Sequence, residues 1–174
     1  PIVESQDLAE TVRQAVFLMR VGNPDVTFET DIPQGPMPAQ FDRRLVSQAL
    51  TNLLKNAVEA IGSVTAEQRG PGRVLTRLSL TDEFAVIEIT DNGAGLPKEN
   101  RDRLLEPYVT TRDKGTGLGL AIVSKIFEDH GGHIELQDAP PTFDGGRGAS
   151  IRATLLLKQK AATARESAAG RVTG

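Results

Sequence analysis

The chain contains no cysteine. Disulfides and thiolate metal sites are therefore excluded, and the redox compartment cannot be read from thiols. Aromatic residues make up only 4% of it, so a core must be mostly aliphatic, although hydrophobic residues at 39% suffice to build one. No run of about 18 apolar residues occurs, so this stretch has no membrane-spanning segment. No basic stripe interleaved with aromatics is present either, and with a net charge of −3 and a pI near 5.5 nucleic acid is not an expected partner. Two nucleotide-binding fingerprints are missing as well. G-x-x-x-x-G-K-[ST] occurs nowhere, and G-x-G-x-x-G fails because Leu120 and Ile122 stand where the third glycine would be. The length, 174 residues, suits one domain. The chain begins at Pro1 rather than Met, as expected of a piece of something longer.

What is present centres on residues 110–120, Thr-Thr-Arg-Asp-Lys-Gly-Thr-Gly-Leu-Gly-Leu, which run into the helical pattern 121–127. Glycine lets a backbone approach a ligand closely. A helix N-terminus offers unpaired N–H groups and partial positive charge, which suit a phosphate. Arg112 and Lys114 add full charges. The stretch reads as a polyphosphate clamp; the plain alternative is a glycine-rich turn with a helix cap.

Elsewhere the periodicities predict a helix over 7–20 capped by Asp7, a strand over 26–32, and a Pro/Gly-rich loop to residue 38. A long helix over 42–62 follows, capped by Asp42, with Leu45, Ala49, Leu53, Ala57, Ala60 and Ile61 as its apolar stripe. Residues 63–72 read as loop, and 74–80 with 84–89 as a hairpin. A short helix is expected over 98–106, a third main helix over 118–130 ending at Gly131-Gly132, and last strands at 134–136 and 149–157. From residue 158 the sequence reads as a disordered tail, leaving 1–157 as the domain.

Two polar features interrupt this pattern. Asn52 and Asn56 are spaced i, i+4 on one face of the long helix. Asparagine is a poor helix-interior residue, so the pair suggests a polar strip facing a ligand or its metal ion, unless both amides are simply solvated. Asp91 ends a strand and is followed by Asn92-Gly93-Ala94-Gly95, either a plain turn or a ligand-binding one.

Four segments, in order, resemble the boxes of sensor histidine kinases. Asn52–Ala57 is similar to the N box and Asp91–Gly95 to the first glycine box. Glu106–Thr111 is similar to the F box, with Tyr108 where Phe is usual, and Gly115–Leu120 to the second glycine box. The resemblance covers roughly residues 7–157, and the wording of 107–120 is nearest to nitrogen-regulation kinases, NtrY-type first and NtrB-type second. It implies an α+β fold, a two-layer α/β sandwich of the Bergerat type. In that fold a mixed, mostly antiparallel sheet carries helices on one face and has a mobile ATP lid, here near 97–117. It also implies ATP and Mg²⁺ as cofactors. Asn56 would ligate the metal, and Asn52 and Lys55 would support the phosphates. Asp91 would accept the adenine amine while Gly93 and Gly95 let the backbone pass the base. The F-box residues Tyr108 and Thr111 would join the site, and Arg112, Lys114, Gly115, Thr116, Gly117, Leu118, Gly119 and Leu120 would hold the phosphates.

The resemblance further implies γ-phosphoryl transfer to a histidine on a separate dimerisation domain, and a response regulator downstream. It implies a monomeric isolated domain, and a cytoplasmic location under a parent that can be membrane-anchored. Two departures stand out. Glu59 occupies a position where many relatives carry a cation, and the phospho-accepting histidine is not in this chain: His130 and His133 read as structural. Superfamily ATPases and serine kinases carry a Glu as general base one helical turn before the metal-binding Asn. Here that position is Asn52, an amide that cannot take a proton at neutral pH, which favours histidine as acceptor over water or serine. A degenerate nucleotide-binding module is the remaining alternative.

Overall fold

The computed structural model describes residues 1–106 and 119–159. Two aspartates start its two longest helices. The Asp7 carboxylate accepts the Glu10 and Met37 N–H groups at 3.2 and 3.0 Å and caps α1, Leu8–Gly22. Asp42 accepts from Leu45 N–H and caps α2, Arg43–Gly62. A third long helix, Gly119–Asp129, is α4; α3 is the single turn Ala66–Arg69.

The strands are β1 (Glu4–Asp7), β2 (Thr27–Asp31), β3 (Pro38–Phe41), β4 (Arg73–Leu80), β5 (Phe84–Asp91), β6 (Ile134–Asp138) and β7 (Ala149–Leu156). Five of them form one sheet in the order β2-β4-β5-β7-β6, parallel only between β2 and β4; β1 and β3 pair antiparallel as a separate ribbon. The sheet buries Val74, Leu78, Ile87, Ile89, Ala153 and Leu155 under Leu50, Leu53 and Leu54 of α2 and Val123 and Phe127 of α4. The result is the expected two-layer α+β sandwich, with a mostly antiparallel mixed sheet and helices on one face.

Among the described residues no α-helix packs on the opposite face, and its composition explains why it tolerates water. One row crosses all five strands in register: Asp31, Arg77, Glu88, Arg152, Glu135. Its charges alternate in sign, and Arg77–Asp31 and Arg152–Glu88 pair at 3.0 and 2.9 Å. Opposite charges on neighbouring strands are mildly stabilising, and they keep the middle of this face polar.

His130 closes the helical layer. It is fully buried just beyond α4, donates through Nδ1 to the Ile126 carbonyl at 2.7 Å, and accepts the Asp42 N–H on Nε2 at 3.0 Å. Its own carbonyl accepts from the Gln159 side chain. Gln159 is itself buried and its backbone N–H donates to Gln40 Oε1 at 3.1 Å, so the chain stays docked two residues past 157, where we expected the fold to end.

Three elements differ from expectation. The β1–β3 ribbon and α3 were not foreseen. The segment expected as a helix over 98–106 is instead a tight 3-10 turn, Arg101–Leu105. It is entered through Asn100 at φ 57°, a left-handed conformation that no α-helix contains.

Both capping aspartates are held below the usual carboxylate range. For Asp7 the Met37 N–H is the main cause and outweighs burial, helped by Glu10 and Ala9 N–H and by Arg13. For Asp42 burial pushes upward, but the N–H groups of Leu45 and Ile2 and the charge of Arg44 outweigh it. The unfolded chain therefore takes up these protons first as pH falls. Their contribution is fully present above about pH 4 and is lost as pH drops through the lower folded values. Urea midpoints should fall between about pH 5 and pH 2.5. The double variant Asp7→Asn, Asp42→Asn keeps both caps and should flatten that fall; an equally steep fall would contradict the assignment.

Candidate nucleotide-binding site

The inward side chains of β5 alternate Ala85, Ile87, Ile89, Asp91. The first three are core; the fourth is a carboxylate only 5% exposed. A charge at the end of an apolar row is costly unless hydrogen bonds hold it. Asp91 Oδ1 accepts the Gly93 N–H at 2.8 Å, closing a tight turn at the strand end.

That turn lies directly on α2. A Cβ on Gly93 would stand 2.4 Å from the Ala60 carbonyl carbon and 2.5 Å from the Ile61 nitrogen. The next amide, Ala94 N–H, donates to the Ala60 carbonyl at 3.1 Å. Gly93 is thus required by close helix packing. Gly95 follows at φ 82° beside the Gly148 carbonyl.

Asn56 and Asn52 lie one and two turns back from Ala60 along the same face of α2, about 6 and 12 Å along its axis. Both are half-buried, and among the described residues neither amide has a hydrogen-bond partner. Lys55 is exposed and sits about 100° round the helix from Asn56. Glu59 is also exposed. The first residues of α4, Gly119 and Leu120, are half-buried; Leu120 packs on the core, and α4 packs along α2.

The structure therefore joins Asp91, Gly93 and Gly95 to the helix that carries Asn52 and Asn56, with α4 beside it. Tyr108, Thr111, Arg112, Lys114, Gly115, Thr116, Gly117 and Leu118 lie outside the described residues, as does most of the expected lid. Among the described residues no three acidic or histidine side chains gather to hold a metal. An open cavity of about 350 Å³ borders the turn, lined by Val64, Gln68, Gly93, Ala94 and Arg147.

Sequence reasoning missed the groups behind Asp91. A Cβ on Gly148, which has φ 108°, would stand 1.8 Å from the Asp91 carbonyl oxygen. The Asn92 side chain is fully buried and bonded to Arg73, Pro71 and Asp144. The Asp-Asn-Gly wording marked the turn, but nothing local pointed to Asp144 or Gly148, which arrive from another strand pair. The two histidines are far from this turn in character. His130 is sealed in the core, and His133 is exposed beside Glu135 and Thr154.

Residues 41–159 match the family described as histidine kinase-, DNA gyrase B-, and HSP90-like ATPase, and the chain belongs to that family. Within it, the chain is 63% identical over 155 residues to the nitrogen regulation protein NtrY of Azorhizobium caulinodans, covering 89% of this chain and 20% of that protein. It is 34% identical over 136 residues to the C4-dicarboxylate transport sensor protein DctB of Rhizobium meliloti, covering 76% of this chain and 21% of DctB. The chain thus spans about a fifth of the length of these curated relatives. Among solved structures, a mycobacterial sensor histidine kinase, MprB, superposes with a TM-score of 0.75 at 29% identity, over 91% of this chain and 99% of that one. The nucleotide-free catalytic domain of histidine kinase ThkA gives 0.76 at 25% identity, with 91% and 99% covered.

The Gly93 contact is testable. Gly93→Ala forces a methyl into the α2 backbone and should cost about 2–3 kcal/mol in denaturant unfolding, as overpacking does. Gly62→Ala, with nothing within 4 Å of the added carbon, should be neutral or stabilising by up to about 1 kcal/mol. Equal effects would show that the turn does not sit on the helix.

Proposed function

We propose that this chain is the catalytic domain of a two-component sensor kinase. It binds Mg–ATP and delivers the γ-phosphoryl group to a histidine on a separate dimerisation domain, from which a response regulator takes it. The observation that carries this reading is the buried Asp91 carboxylate, seated at the end of an apolar row by a turn fixed to the helix that bears Asn52 and Asn56.

The residues suit the ligand. An ionised carboxylate only accepts hydrogen bonds, so it complements the N6 amine of adenine and opposes the O6 of guanine. The amide oxygen of Asn56 is a hard donor of the kind Mg²⁺ takes singly while keeping waters and phosphate oxygens. Bound Mg²⁺ would supply charge neutralisation for the phosphates. Asn52, one turn earlier, would support the phosphates or metal-bound water, and Lys55 would reach toward them from its exposed position. Arg112, Lys114 and the glycine-rich segment to Leu120, with Tyr108 and Thr111 ahead of it, would close over the phosphates. Phosphoryl transfer asks mainly for positioning and charge stabilisation, which this set supplies without a base.

Asn52 also supports histidine as acceptor over water or serine, since no carboxylate stands one turn before Asn56 to activate either. Neither histidine of the chain suits the acceptor role. His130 is buried, and at 11 residues from Gly119 it lies about 17 Å along α4 from the helix start. We place the domain in the cytoplasm, where ATP and response regulators are found, as a monomer when isolated and with no nucleic-acid partner.

Base selectivity should rest on Asp91. ATP should bind about ten- to a hundredfold tighter than GTP, the equivalent of one charged hydrogen bond of about 1.5–3 kcal/mol, and Asp91→Asn should remove most of that margin. Isothermal calorimetry decides, and equal affinities in the unmutated chain would sink the reading. The metal role has a separate test. Asn56→Ala should weaken nucleotide binding much more in Mg²⁺ than in EDTA, with Asn52→Ala smaller but of the same sign; a defect indifferent to chelation would remove Asn56 as a ligand.

A further inference from the structure

Behind the Asp91 turn stands a polar cluster that no feature of the nucleotide site explains. β5 ends at Asp91, paired with Val74, yet the ladder continues one rung. The Asn92 N–H donates to the Arg73 carbonyl at 3.3 Å. In return the Arg73 N–H donates to the Asn92 side-chain oxygen at 2.8 Å, where a strand would have offered a backbone carbonyl. This substitution frees the backbone after Asn92 to swing toward α2. The other end of the amide donates to the Pro71 carbonyl at 2.8 Å and to Asp144 Oδ2 at 2.6 Å. Every hydrogen-bonding group of the side chain is engaged, and none of it is exposed.

Asp144 holds the outer side. Its second oxygen pairs with the Arg73 guanidinium, which also reaches Glu29 Oε1 at 2.7 Å and lies 4.5 Å from the centre of the Phe143 ring. Asp144 adopts φ 44°, a left-handed conformation that costs energy for a residue with a Cβ and persists where the surroundings hold it. Its loop touches the turn twice: through this carboxylate on Asn92, and through Gly148, packed without a side chain on the Asp91 carbonyl.

Resting on the reading of Asp91 as the base-recognising group, we propose that Asp144 is a positioning residue for nucleotide-base selection. Together with Arg73 it clamps Asn92, and through Asn92 it fixes the depth and direction of the Asp91 carboxylate. The β6–β7 loop is thereby part of the specificity apparatus although it offers no group to the base.

The test is a double-mutant cycle on the full chain with Mg–ATP and Mg–GTP as probes. Asp144→Ala should weaken ATP binding about five- to tenfold, within the range seen for members of one hydrogen-bond network, and lower the ATP/GTP ratio by a similar factor. Asp144→Asn retains an acceptor for Asn92 but loses the charge, and should fall between. In the Asp91→Asn background Asp144→Ala should have little further effect on ATP. Arg77→Ala, which removes an ion pair elsewhere on the same sheet, should leave the ratio unchanged. An unchanged ratio in Asp144→Ala, or an undiminished effect in the Asp91→Asn background, would overturn the proposal while leaving Asp91 selective. Equal ATP and GTP affinities in the unmutated chain would overturn both. Should Asp144→Ala fail to fold by circular dichroism, Asp144→Asn decides by the same two outcomes.

Discussion

The site depends on one close approach, the backbone of Gly93 against the backbone of Ala60 and Ile61. A strand end and a helix flank can meet this tightly only where a side chain is missing. Once they meet, the depth of Asp91 is set from one side by α2 and from the other by Gly148. The carboxylate is then buried, with the Gly93 N–H donating to its Oδ1. The same contact fixes the register between that carboxylate and the asparagine strip, because Ala60, Asn56 and Asn52 follow one another along one helical face. The separation between the carboxylate and the two amides is a consequence of where a turn rests on a helix.

The rest of the architecture serves to hold that contact rigid. α2 is anchored at its start by Asp42, whose N–H is in turn accepted by buried His130 at the end of α4. The α-helices cover one face of the sheet, and the other carries a row of alternating charges across all five strands. Among the described residues the main apolar core lies between α1, α2, α4 and the sheet, joined by Met37 and Phe41 from the ribbon side. This division of labour is consistent with the family to which the chain belongs.

Much of this was legible in the sequence where signals are local. The two capping aspartates, the 3.6-residue stripe of α2, the β4–β5 hairpin and the odd pairing of Asn52 with Asn56 all rest on spacing within one element. The misses share a different character. β1 and β3 are four residues each; β1 is wholly polar and β3 opens on Pro38, so neither carries an alternation long enough to read. The helix expected after Pro97 fails at Asn100, whose left-handed backbone depends on its surroundings. Gly93 was read as letting the backbone pass a base, and its packing against α2 was not foreseen. The Asn92–Asp144–Arg73 cluster joins residues 19 to 71 positions apart and is set by strand register, which no local pattern encodes.

The central claim, that α2 and the Asp91 turn together form a nucleotide pocket, is tested most directly by nuclear magnetic resonance of the nitrogen-15-labelled chain titrated with Mg–ATP. The side-chain amides of Asn52 and Asn56 and the backbone amides of Gly93 and Gly95 should shift together and saturate with one affinity, while Arg77, Arg152 and Glu135 on the open sheet face stay unmoved. Saturable shifts confined to the open face, or no saturable shift in the asparagine amides, would contradict the account.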